Sequence, residues 1–338
     1  MFPLVGAAAL ALAAPPAKPA ATPGRITVWL GDQCEHFKPD GRDVVKLTVP
    51  AHLPYGFRLT PDRQAMVSIN YIQRQAAFTT VGSFGRIVVA PIGEPDKAYT
   101  VEGYVAQSFT GTLHGSRAYF TGGKGDDITE EMAKSPASFV LDVDTKKVTP
   151  IPLPEKHKLY AVAPDGQSFL TTRIDQDANT YTHRTYRVTP GGRPTEILKE
   201  NVFPTMLTIS PDGSKVLALT TEYTDVKPNP NGGFQAGGSK PREYKILDPV
   251  TNQATPLRYT PGPNDWVSGW DWSPNGTQIA LLVYDRTTRT FENIPAGGGM
   301  QQSVAFYEYR VLLADADGSN AKEVYTTKGS SVKTFMWK

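Results

Sequence analysis

The chain has 338 residues, with 35 basic against 33 acidic side chains, and this near balance argues against the broad basic surface that a phosphate backbone attracts, so nucleic acid is not an expected partner. Its 29 prolines and 30 glycines recur between short apolar runs instead of pooling in one tail, which is how a chain of many turns looks. A single cysteine, Cys34, excludes an internal disulfide.

Residues 2–14 form an apolar, alanine-rich run, too short to cross a bilayer as a helix, followed by Pro15, Pro16 and Lys18. The tripeptide Ala11-Leu12-Ala13 supplies small residues where a signal peptidase cuts. Residues 1–24 are therefore expected to be a secretory signal peptide with a Pro/Ala spacer, and residues 25–338 a single domain that is periplasmic or extracellular, monomeric and without a transmembrane segment. Arg25 to Leu30 and Val44 to Val49 read as two strands. Between them Cys34 and His36 stand two apart, but nothing nearby supplies the further ligands of a closed zinc site, so the pair reads as a surface loop and the cysteine as a buried or inert thiol.

Further along, a four-residue string repeats. Thr60-Pro61-Asp62-Arg63, Ala163-Pro164-Asp165-Gly166, Ser210-Pro211-Asp212-Gly213 and Ser273-Pro274-Asn275-Gly276 share the chemistry of a type I turn, with proline presetting φ at the second position and glycine where a left-handed backbone is easiest. Arg63 breaks that rule in the first copy. After each turn two neighbouring apolar residues follow: Met66-Val67, Phe169-Leu170, Val216-Leu217 and Ile279-Ala280. A strand with one wet face would alternate, so this pattern asks for burial on both faces, as when a sheet is packed between two others. A second short β-rich run then recurs (Gly85 to Ala90, Ser138 to Asp142, Thr185 to Val188, Glu243 to Asp248, Tyr309 to Asp315), and after the last four of these runs a second tight turn and a final strand are legible.

One unit is thus strand A, the proline-centred turn, strand B, a variable loop, strand C, a tight turn and strand D, which is a four-stranded propeller blade. Units fall at about 56–104, 105–155, 156–202, 203–262 and 263–328, the second with Thr112-Leu113-His114-Gly115 where its turn should be. Val332 to Lys338 reads as one more strand A, because Phe335-Met336-Trp337 parallels Trp270-Asp271-Trp272. Joined to the two amino-terminal strands it would close a ring and remove the open sheet edges. The expectation is an all-β, six-bladed β-propeller of four-stranded antiparallel blades, the last closed by N- and C-terminal strands, with one strand of that blade lacking a candidate.

The phrase Asp271-Trp272-Ser273-Pro274-Asn275-Gly276 with its following apolar strand, and its sister around Ser210 to Leu219, resemble the WD-like repeats of the TolB propeller family. The repeats are also similar to those of the propeller domains of prolyl oligopeptidase-type peptidases and of oligogalacturonate lyases. The resemblance implies the architecture; folds host many activities, so it leaves function to the site.

Chemistry is sparse. A Gly-x-Ser-x-Gly nucleophile elbow is absent from the sequence, and His36, His52, His114, His157 and His183 fall without motif spacing. No catalytic residue, metal or cofactor is therefore assigned. The Asp of each turn is explained by the turn itself. Long B–C insertions are expected at Tyr71 to Phe84, Gly122 to Ala137, Ile174 to Arg184, Tyr223 to Pro241 and Asp285 to Val304, all emerging on one side. There the eleventh residue after the turn proline is Asp175, Glu222 and Asp285 in three successive units, an arc that would suit a cation or basic ligand unless each acid is simply solvated. Tyr71, Arg173, Tyr284 and Arg286 stand beside these positions. The expected function is a binding scaffold that recognises a protein, peptide or glycan on the loop face; the alternative is a glycan-active, lyase-like enzyme with a composite site at the axial mouth.

Overall fold

The computed structural model describes residues 24–31, 33–47, 58–60, 65–71, 84–91, 94–110, 115–127, 129, 132, 135–177, 179–189, 191–229, 233–295 and 301–338. The expected signal peptide and most of the turn at Pro61 lie outside them. Among the described residues the regular structure is antiparallel strand, apart from a short 3-10 turn at Pro95–Lys97 and helical backbone at Met132, and no helix there is long and apolar enough to cross a membrane.

The first strands are β1 (Ile26–Leu30), β2 (Gln33–Phe37) and β3 (Val45–Leu47). Next come β4 (Arg58–Leu59), β5 (Ala65–Tyr71), β6 (Gly85–Pro91), β7 (Tyr99–Phe109), β8 (Arg117–Lys124), β9 (Ala137–Asp142) and β10 (Lys147–Pro150), which form one seven-stranded sheet in sequence order. A four-stranded sheet follows, of β11 (His157–Val162), β12 (Phe169–Gln176), β13 (Tyr181–Val188) and β14 (Thr195–Leu198). The next sheet is built on β15 (Val202–Ile209) and β16 (Val216–Thr224), with an insertion carrying β17 (Lys227–Pro228), β18 (Phe234–Gln235) and β19 (Gly238–Ser239), then β20 (Glu243–Leu247) and β21 (Ala254–Pro256). The last unit runs β22 (Asp265–Trp272), β23 (Gln278–Asp285), β24 (Thr290–Pro295), β25 (Gln301–Asp315) and β26 (Lys322–Gly329), and β27 (Val332–Trp337) returns to pair with β1 in the closing sheet β27-β1-β2-β3.

Among the described residues the count is therefore five blade sheets, not six. The units expected at 56–104 and 105–155 share β7, whose first residues pair with β6 as an outer strand (Tyr99 with Val89) and whose end pairs with β8 as an inner one (Phe109 with Phe120). This long strand makes one hydrogen-bonded sheet of the two, and the sheet folds on itself: Val67, Ile69 and Ile87 of one half pack with Ala106, Phe120 and Phe139 of the other. The strand missing from the closing sheet is β2. Cys34 and His36, read from sequence as a surface loop, lie in it, paired with β1 on one side and β3 on the other, and Cys34 is only 2% exposed.

The doubly apolar B strands do what their pattern asks. In β16, Leu217 and Leu219 pack on Val267 and Trp272 of the following sheet, while Val216 and Ala218 pack on Ala161 and Leu170 of the preceding one. In β23, Ile279, Leu281 and Val283 face back, while Ala280 and Leu282 meet Ile26, Val28 and Phe37 of the closing sheet. Trp29, Cys34 and Met336 then pack on Met66 of the seven-stranded sheet, so the apolar contacts run from sheet to sheet and return to their start. Period-two alternation sends each residue to one neighbour or the other, and a ring of stacked sheets is the arrangement that buries both faces.

The proline-centred turns have the expected form. Gly166, Gly213 and Gly276 hold φ of +67°, +73° and +71°. Asp212 Oδ1 accepts from the Ser210 hydroxyl (2.6 Å) and the Ser214 amide (3.0 Å), and Asn275 Oδ1 accepts likewise from the Ser273 hydroxyl (2.8 Å) and the Thr277 amide (3.2 Å). These bonds hold the Asp212 carboxyl down at about 2, the Ser210 hydroxyl contributing most, so this side chain is a turn former kept ionised and no proton donor at neutral pH.

Candidate functional site on the loop face

Within each repeated unit strand A runs toward the proline-centred turn, so the B–C connections lie at the opposite end of the sheets. These insertions are not all loops. In the third unit β12 and β13 continue through most of the expected insertion, leaving a tight turn at 177–180 in which Asp177 Oδ1 accepts from the Asn179 and Thr180 amides, each at 2.7 Å. The alternating burial of Tyr181, His183 and Thr185 explains why this stretch is strand. In the next unit the insertion folds into the β17–β18 hairpin, and in the fifth into β24, which pairs with an extended β25 from Thr290 opposite Phe306 to Pro295 opposite Gln301.

Phe234 of the β17–β18 hairpin lies over the end of the sheets. Its ring is 4.6 Å from Phe203, 5.2 Å from Tyr181 and 5.2 Å from Tyr223, and His183 stacks on the other rings through Phe203 at 4.2 Å. His183 is 6% exposed, and burial holds its imidazole down at about 4, neutral at physiological pH. The cluster pins an insertion to the scaffold, as a fixed recognition surface requires.

The acids expected to form an arc each have a local partner. Asp175 accepts from the Arg173 guanidinium at 2.5 Å and 2.8 Å, Glu222 pairs with Lys240 at 2.6 Å, and Asp285 accepts from the amide and hydroxyl of Thr287, both at 2.7 Å. The Thr287 hydroxyl is the main cause that lowers the Asp285 carboxyl below its ordinary value. Among the described residues no group of three or more His, Cys, Asp or Glu is placed to hold a metal ion. Tyr71 ends β5 opposite Gly85, a sheet away from these strands, and Arg173 is held by Asp175 within reach of the Tyr186 ring (5.9 Å).

Tyr284 and Arg286 do meet, in company the sequence reading missed. Tyr284 is opposite Trp266 in the β22–β23 register. The Trp266 indole carries two guanidiniums, Arg242 at 3.6 Å and Arg286 at 4.9 Å from its centroid. Both arginines are exposed, and among the described residues neither has a carboxylate within 4.0 Å. Arg289 also rests on a ring, 5.2 Å from that of Phe291, which is 61% exposed on the hairpin. Tyr284 continues the aromatic cluster inward to Tyr307 (4.8 Å) and the buried Tyr309 (5.2 Å). Counting register back from the turn after Trp272 finds Trp266 opposite Tyr284 once the irregularity at Val267/Gly269 is allowed for; no sequence signal finds Arg242.

A ring of antiparallel sheets joined by its terminal strands defines a β-propeller, with cations and aromatic rings concentrated at the inserted end of its last two units. No protein-family model matches the chain, and no curated protein matches it. Among solved structures, TolB from Acinetobacter baumannii is similar to it with a TM-score of 0.53 at 16% identity, over 93% of this chain but only 66% of the TolB chain. A putative TolB from Agrobacterium tumefaciens gives a TM-score of 0.52 at 14% identity over 92% of each chain. An oligogalacturonate lyase in complex with manganese gives 0.48 at 12% identity, over 90% of this chain and 73% of that one. The first two likenesses show that the fold is a TolB-like propeller.

Proposed function

We propose that the chain is an exported propeller that binds a partner protein or peptide through the face bearing the inserted hairpins. The observation that carries this reading is the cation and aromatic surface of Arg242, Trp266, Arg286 and Tyr284 at that end of the sheets. Arginine and tryptophan are the side chains that most often dominate binding energy at interfaces. Asp175, Glu222 and Asp285 then form the rim, where locally compensated acids add selectivity more than affinity. Arg173, held by Asp175, belongs to the same rim. The apolar run at residues 2–14 supports export, and the similar TolB structures support the propeller scaffold.

A photo-crosslinking side chain placed at Arg289, on the loop face, or at Val250, beside the turn between β20 and β21 at the other end, tests this in cells of the native host. Crosslinked adducts are expected from Arg289 and not from Val250. Equal adducts from both positions, or adducts from Val250 alone, would remove the assignment of the face.

A further inference from the structure

Along the outer strands β20 and β21 lies a groove of about 490 Å³, closed by the segment leading to β22. Tyr244, Pro256, Leu257, Tyr259 and Pro261 give it a largely apolar and phenolic surface; of its charged lining, Glu243 and Lys245 neutralise each other in an ion pair at 2.7 Å, which leaves the Arg242 guanidinium as the uncompensated charge. That guanidinium is the one stacked most closely on Trp266, which links the groove to Arg286 on the same indole.

From this arrangement we infer that the groove docks a short acidic segment of a partner protein, an aromatic or aliphatic side chain seated between Tyr244 and Tyr259 with flanking carboxylates held by Arg242 and Arg286. The inference rests on the loop-face reading and specifies its ligand. Three physical points carry it. A guanidinium stacked on a ring has its face occupied but its N–H edge free, and that edge matches a carboxylate in a two-point bond. Two like charges over one indole, with no carboxylate partner within 4.0 Å among the described residues, repel each other until an anion arrives. The apolar and tyrosine lining favours a ligand that brings an apolar group beside its charge, which a peptide does and a small inorganic anion does not. Pro256 withholds an amide from the open edge of β21, so recognition there runs through side chains and not through strand addition.

Binding of a short fluorescein-labelled peptide that alternates glutamate with phenylalanine, read by anisotropy, tests the inference on the purified chain. The unmodified protein is expected to bind it, more weakly as salt rises. The double variant Arg242→Gln with Arg286→Gln should weaken binding at least tenfold, Arg242→Lys with Arg286→Lys should retain part of it, and Arg193→Gln, which removes an exposed cation elsewhere, should change nothing. Melting curves that match the unmodified protein establish that the variants are folded. The inference is overturned if the glutamine double variant binds as the unmodified protein does, if a lysine–phenylalanine peptide, inorganic phosphate or a uronic-acid trisaccharide binds equally well, or if the unmodified protein binds none of these probes. Failure of the groove leaves the crosslinks from Arg289 in place, whereas failure of the loop-face reading removes them from the unmodified chain.

Discussion

Gly213 holds a backbone φ of +73°, and a Cβ built on it meets nothing within 4 Å. Substitution there is therefore resisted by the backbone alone, and Gly213→Val should cost about 1–2 kcal/mol through the left-handed conformation. Thermal unfolding checks this: a melting temperature lower by about 2–3 °C is expected for a domain of this size, and an unchanged one would contradict the turn. Such residues were legible because proline, aspartate and glycine at fixed offsets have one local use. Arg242 was not, because its role depends on the start of β20 in one unit meeting β22 of the next, a junction that no local pattern marks.

Asp271 shows what holds one element to the next. It is 1% exposed, and its carboxylate accepts from the Trp272 amide and from the amide of Trp337 in the terminal strand, each at 2.9 Å. From the outer side Glu35 of β2 accepts from the Tyr325 hydroxyl (2.9 Å) and the Thr327 hydroxyl (3.1 Å) of β26, so two carboxylates fasten the closing sheet to the last unit. Asp271→Ala leaves buried donors without their charged acceptor and should cost about 3 kcal/mol. A denaturation midpoint equal to that of the unmodified chain would show that packing and the pairing with β1 hold the terminal strand without this carboxylate. At this scale the sequence reading placed strands A and B well, since turns and doubly apolar runs mark them. It misjudged what local patterns do not encode. The fusion through β7 depends on one strand pairing on both sides, and Cys34 and His36 in β2 alternate too briefly to signal a strand without knowledge of its partners.

Across the whole molecule, each sheet is stabilised by apolar contact with the one before and the one after, and the closing sheet and the seven-stranded sheet bury the faces they share only because the ring is closed. The likeness to the TolB structures is a likeness of this arrangement, at identities of 16% and 14% that leave the surface free to differ. A rigid ring is also what lets the inserted hairpins carry arginines and aromatic rings at little cost to the core. Closure is thus the claim on which the loop face and the groove depend, and native-state hydrogen exchange tests it most directly. The amide of Trp337 in the terminal strand and that of Leu281 at the centre of β23 should exchange at the same slow rate, set by unfolding of the whole ring. Exchange of the Trp337 amide many times faster than that of Leu281 would mean that the terminal strand opens by itself, and that the ring is not closed in the way described.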